Sequence, residues 1–178
     1  MKKCILILLL VATNIGIGCA QRYIGIKSMS VQGGYSSNEA LNIEAGFEKF
    51  FGVNNSKSFS VAVNYSMRDA TLDKVERDIK LNDITLNLGG RKYFNGIVDF
   101  YPYIGVDLFC GYSILKTKDI SETIILSRDD SILYGARANV GCEYLFSIVS
   151  VYVNVSPQYE VKFKEFSING NIGLKYFF

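Results

Sequence analysis

From about residue 26 onward, large apolar and small polar residues alternate with a period of two, the side-chain repeat of a β-strand rather than a helix. The clearest run sets Phe59, Val61, Val63, Tyr65 and Met67 against Ser58, Ser60, Ala62, Asn64 and Ser66. The split recurs in Leu41, Ile43, Ala45 and Phe47 against Asn42, Glu44, Gly46 and Glu48, and in Ile84, Leu86 and Leu88 against Thr85, Asn87, Gly89 and Arg91. It continues in Ile104, Val106, Leu108, Cys110 and Tyr112 against Gly105, Asp107, Phe109 and Gly111, then in Tyr134 through Tyr144 against Gly135, Arg137, Asn139, Gly141 and Glu143. Val149, Val151, Val153 and Val155 oppose Ser150, Tyr152, Asn154 and Ser156; Phe166, Ile168, Ile172, Leu174, Tyr176 and Phe178 oppose Ser167, Asn169, Asn171, Gly173 and Lys175. A weaker first segment near residues 26–35 brings the prediction to eight strands.

Eight strands over the region beyond residue 20 leave roughly 20 residues for each strand with its connection, which suits a small barrel. Longer polar stretches are predicted at 68–81, 115–131 and 157–164, and shorter turns near Asn54-Asn55, Asn95-Gly96 and Phe146-Ser147. An even strand number with long loops at one end and short turns at the other predicts an all-β, eight-stranded antiparallel up-and-down barrel of the outer-membrane type.

Side-chain size indicates which face is outside. The polar face carries Glu44, Glu48, Arg91, Asp107, Arg137, Glu143 and Lys175 among Gly, Ser and Asn, a mixture suited to a narrow, charge-compensated interior. The apolar face carries Tyr35, Phe59, Tyr112, Tyr134, Tyr144 and Phe178 near strand ends, where an interfacial girdle belongs. A soluble exported barrel would instead turn that apolar face inward. Residues 171–178 fit a polar-x-Gly-x-x-aromatic-x-aromatic pattern through Asn171, Gly173, Tyr176 and Phe178, resembling the insertion signal of outer-membrane barrels.

Lys2 and Lys3 precede an apolar run from Ile5 to Ile17, too short for a spanning helix and followed by small residues. It reads as a secretory leader cleaved between Ala20 and Gln21, giving a leader over 1–20 and one barrel domain over 21–178. Gly18-Cys19 leaves open a second reading, a lipid-modified terminus at Cys19.

The leader holds two of the 19 basic residues and no acidic one, so 17 Lys and Arg oppose 17 Asp and Glu beyond it. A neutral chain without a basic stripe is not expected to bind nucleic acid directly. With no His in the chain, a Ser-His-Asp triad, a Cys-His pair and any His-ligated metal site are excluded. No cofactor is expected. Asp107 and Glu143, on consecutive strands, are a candidate carboxylate pair, but Arg137 on the same face favours a structural network. Cys110 and Cys142, on the apolar face of the same strands, either pair or remain lipid-facing thiols. Arg128-Asp129-Asp130-Ser131 lacks calcium-loop spacing and reads as a solvated turn.

Several stretches together resemble the conjugative transposon protein TraO family of Bacteroides-type elements. They are Gln21-Arg22 after the leader, Tyr103-Ile104-Gly105 through Gly111-Tyr112, Arg128-Asp129-Asp130 leading into Tyr134-Gly135, and Gly173-Leu174-Lys175-Tyr176-Phe177. Residues 54–82 do not follow the family pattern, so no role is carried to that stretch. The resemblance implies an outer-membrane component of a conjugation apparatus, with other transfer proteins as partners. The barrel pattern adds outer-membrane lipid and the barrel-assembly machinery as expected partners.

Overall fold

A computed structural model describes residues 27–71, 78–94, 99–116, 132–162 and 164–178. The leader, with its cleavage point at Ala20 and Gln21 and the alternative at Cys19, lies outside the described residues, as does the acidic turn at 128–131. The strands are β1 Lys27–Ser36, β2 Leu41–Phe51, β3 Lys57–Thr71, β4 Asp78–Tyr93, β5 Phe100–Lys116, β6 Ile132–Phe146, β7 Val149–Glu160 and β8 Glu165–Phe177. Each pairs antiparallel with the next, and β1 pairs with β8, so the sheet closes and has no free edge. The predicted eight-stranded up-and-down barrel is the observed one.

The start of β1, the end of β8, the connections 52–56 and 147–148, and Phe94 and Asp99 between β4 and β5 share one end, the short-turn end. Left-handed backbone makes two of these turns tight: Gly52 opens the first with φ of 84°, and Ser147 sits at 56° in the last. The strand ends at which β1, β3, β5 and β7 finish lie at the opposite end, the mouth.

Two predicted loops are strand in part. Residues 68–81 were expected as a charged loop, yet β3 and β4 stay paired as far as Thr71 opposite Asp78. There Asp69 and Thr71 pair with Lys80 and Asp78 where the belt has apolar residues, so the alternation of the belt is lost while backbone pairing continues. Similarly, β7 runs through Pro157 to Glu160. Pro157 has no N–H to give, and the β6–β7 ladder skips it between the rungs Val140–Val155 and Arg137–Gln158. Most of the stretch 115–131 lies outside the described residues, although β5 extends to Lys116.

The outward face is apolar. Met29, Val31, Ile43, Val63, Leu86, Leu88, Val106, Leu108, Val140, Val153, Ile172 and Leu174 form an exposed belt. Tyr35, Tyr65, Tyr112, Tyr134, Tyr159 and Phe166 bound it towards the mouth; Phe51, Phe59, Phe94, Phe100, Tyr144, Phe146, Tyr176 and Phe178 bound it at the short-turn end. On β6 the run from Tyr134 to Tyr144 rises roughly 25 Å at about 3.3 Å per residue and about 40° tilt, the height of a lipid-facing band. An exposed apolar belt of this extent would aggregate in water.

Candidate functional site

The inward face is buried and mostly polar, and its groups are layered along the barrel axis. At the short-turn end Phe50, Tyr93, Tyr101, Tyr103, Leu145 and Phe177 form a buried cluster. Phe50 lies 5.6 Å from Tyr93 and 5.7 Å from Phe177, and Tyr93 lies 5.3 Å from Tyr103, ring centroid to centroid. These rings come from β2, β4, β5 and β8, so they fill the lumen across its width.

Above them Lys175 Nζ sits 2.7 Å from Glu48 Oε2 and 2.9 Å from Glu143 Oε2, and donates to Tyr93 Oη at 2.9 Å. Arg91 Nη1 lies 3.4 Å from Glu48 Oε2, while Tyr93 and Ser58 hydroxyls both donate to Glu48 Oε1. Two cations balance two carboxylates here. Lys175 in β8 thereby ties β2 to β6 through the lumen.

The next layer centres on Arg137. Its Nε and Nη2 donate to Asp107 Oδ2 at 3.0 and 2.7 Å, and its Nη1 donates to Glu44 Oε2 at 2.8 Å. Asn139 supports Asp107, while Gln32 and Asn87 support Glu44. Asp107 faces Arg137 on the neighbouring strand, whereas Glu44 lies across the barrel. Replacing Asp107 by Asn, which weakens charge-assisted bonds to a buried guanidinium, is expected to lower stability by about 2 kcal/mol in equilibrium unfolding. Unchanged stability would remove Asp107 from the load path of the barrel.

At the mouth Arg68 Nε lies 3.1 Å from Asp83 Oδ2, and its Nη1 lies 2.9 Å from Glu165 Oε2. Ser113 donates to Asp83 and Asn38 to Glu165. Asn38, Arg68, Asp83, Glu160 and Glu165 line a polar cup of about 40 Å³, space for a few waters.

All seven charged residues expected inside are inward and buried, in two separate groups: Glu48, Arg91, Glu143 and Lys175 in one, Glu44, Asp107 and Arg137 in the other. Asp107 and Glu143 do not meet. Asp107 is opposite Arg137 in the β5–β6 ladder, and Glu143 is six residues farther along β6, about 20 Å away. A glycosidase needs its carboxyls within about 10 Å. The cysteines are likewise apart: Cys110 faces Tyr134 and Cys142 faces Pro102, eight residues along β6, and both are free thiols. Within the expected insertion signal, Asn171 and Gly173 face the lumen while Tyr176 and Phe178 face outward. No group of three or more acidic or thiol ligands able to hold a metal occurs among the described residues.

Sequence reasoning missed the aromatic layer and the mouth cluster. Both are in phase with the inward faces: Phe50 continues Glu44-Gly46-Glu48, Tyr93 continues Asn87-Gly89-Arg91, and Phe177 follows Gly173 and Lys175. Extending each period by one or two rungs finds them.

No family model matches this chain, and no curated protein does. Among solved structures, the chain is similar to Neisserial surface protein A at 15% identity and a TM-score of 0.56, over 85% of this chain and 94% of that one. It is similar to the outer membrane enzyme PagL at 11% identity and a TM-score of 0.52, over 85% and 99%. Ail, the attachment invasion locus protein of Yersinia pestis, is similar at 9% identity and a TM-score of 0.50, over 84% and 95%. The shared feature is the fold of small outer-membrane barrels.

Proposed function

We propose that this chain is a non-enzymatic outer-membrane barrel of a conjugative transfer apparatus, anchoring or organising its envelope-spanning machinery. The observation that carries the anchoring role is the filled lumen, with its aromatic layer and two cross-lumen charge networks. A barrel filled by its own side chains is no conduit for DNA, so its working surfaces are the outer belt and the connections. The exposed apolar belt between aromatic girdles supports the outer-membrane location. The resemblance of the quoted stretches to the TraO family supports the conjugation role. A cleaved leader, delivery to the barrel-assembly machinery and contact with other transfer proteins complete this reading.

In-frame deletion of the gene is expected to reduce transfer to the level of a transfer-deficient control, with plasmid complementation restoring it and growth and envelope integrity unchanged. Normal mating frequency in the deletion strain would sink the conjugation role. A general surface, adhesion or envelope-integrity barrel is then the better reading, favoured by the fold shared with Neisserial surface protein A and the attachment invasion locus protein.

A further inference from the structure

On the outer surface at the short-turn end, Lys27, Lys49, Lys57 and Lys92 are exposed, one on each of β1 to β4. They occupy the same outward rows as Met29, Phe47, Phe59 and Leu88, so their stems leave the barrel wall sideways at the aromatic boundary rather than from a turn. Lys27 is directly opposite Lys49 in the β1–β2 ladder, and Lys57 is directly opposite Lys92 in the β3–β4 ladder. Like charges in facing positions repel. None of the four has a carboxylate partner among the described residues, where Asp99 is the exposed acidic residue at this end. Over the same end of β5 to β8 the outward positions carry no charge among the described residues.

A second feature lies six residues farther along the same two strands. Gly33 leaves a gap in the outward row of β1, and Val31, Ile43, Val151, Ile172 and Leu174 turn it into an apolar groove of about 350 Å³. From Lys27 to Gly33 is about 20 Å along the strand and about 15 Å along the barrel axis, within the span of one extended acyl chain. The facing lysines therefore stand at the phosphate level of the short-turn end, and the groove lies near the middle of the belt, one outward rung short of Tyr35, where an acyl chain rooted at the lysines ends.

We infer that this face is a binding site for an anionic phospholipid of the leaflet at the short-turn end, its phosphate between the facing lysines and the end of one acyl chain in the groove over Gly33. The bound phosphate offsets the repulsion that the two lysine pairs otherwise carry. The site rests on the membrane-spanning part of the function proposed above and is independent of conjugation.

The test is native mass spectrometry of the protein released from bilayer discs of equal phosphatidylglycerol and phosphatidylcholine. Wild type is expected to retain phosphatidylglycerol preferentially. Lys27→Gln with Lys49→Gln is expected to cut that preference about twenty-five-fold, since each lysine near an anionic surface is worth roughly fivefold. Gly33→Leu, whose added Cβ meets nothing closer than Asn42 O at 3.8 Å, is expected to lower retention without changing charge. Lys164→Gln at the mouth end should leave the ratio unchanged. Equal retention of the two lipids by wild type, or an unchanged ratio in the double variant, overturns the site. Equal stabilisation by glycerol phosphate alone overturns the acyl-groove part. Failure to enter bilayers at all overturns the membrane reading with it, whereas insertion without selectivity overturns the lipid site alone.

Discussion

Replacing Lys175 by Met is expected to cost the barrel about 3–5 kcal/mol, the penalty for stranding buried charge. Lys175 is 1% exposed, and its ammonium is shared between Glu48 and Glu143 at 2.7 and 2.9 Å. Without it, Arg91 alone faces two carboxylates and the layer changes from balanced to a net charge of −1. Adding Glu143→Gln returns the sum to zero, so the double variant is expected to recover at least half of the loss despite carrying more changes. The measurement is the midpoint of heat-induced unfolding in detergent, read as the mobility shift between folded and unfolded barrel. A small loss in the single variant, or strictly additive losses in the double, would mean that the network does not hold the strands together.

Gly173→Ala is the second informative change, because local preference and packing predict opposite signs. In a strand interior, Ala is normally better than Gly by about 0.5–1 kcal/mol. Gly173, however, faces Tyr152 across the β7–β8 ladder, and a Cβ there would lie 2.5 Å from Tyr152 Cζ and 2.7 Å from Val31 O. Overpacking of that kind costs about 1–3 kcal/mol. The same interlock joins Gly141 to Tyr103 and Gly135 to Phe109, each a facing pair. The expected result is destabilisation by Gly173→Ala in equilibrium unfolding, smaller when Tyr152 is already Leu. Stabilisation by the single variant would show that the ring moves aside freely.

These two features mark how far the sequence could be read. Alternation located all eight strands because the lumen and the lipid-facing side demand different residues at every second position. It also assigned the buried charges to the interior, since Glu44, Glu48, Arg91 and Lys175 all share the phase of Gly and Asn. Partnership was not legible. Glu44 and Arg137 are 93 residues apart and meet across the lumen, which depends on the tilt and stagger of strands that are not neighbours. Phe50, Tyr93 and Phe177 were hidden because an aromatic at a strand end suits a girdle as well as an interior layer. Arg68 and Asp83 were hidden because mixed charge suits a loop as well as the last rungs of a hairpin.

The closing ladder between β1 and β8 has a consequence in time. Every other ladder joins strands that follow one another, so seven hairpin pairings form from local encounters, whereas Ser28 must find Phe177 at the far end of the chain. Loop-closure entropy makes that the slowest contact to acquire, and until it forms the sheet exposes two unsatisfied edges to any other strand nearby. Those edges carry Gly33 and Gly34 on one side and Gly170 and Gly173 on the other, bare backbone that presents no side chain to turn a foreign strand away before Asn171 packs against Gly34 in the finished seam. The danger to this molecule is therefore concentrated in the interval before closure, and an escort that shields the two edge strands during that interval protects it more than any added stability of the finished barrel.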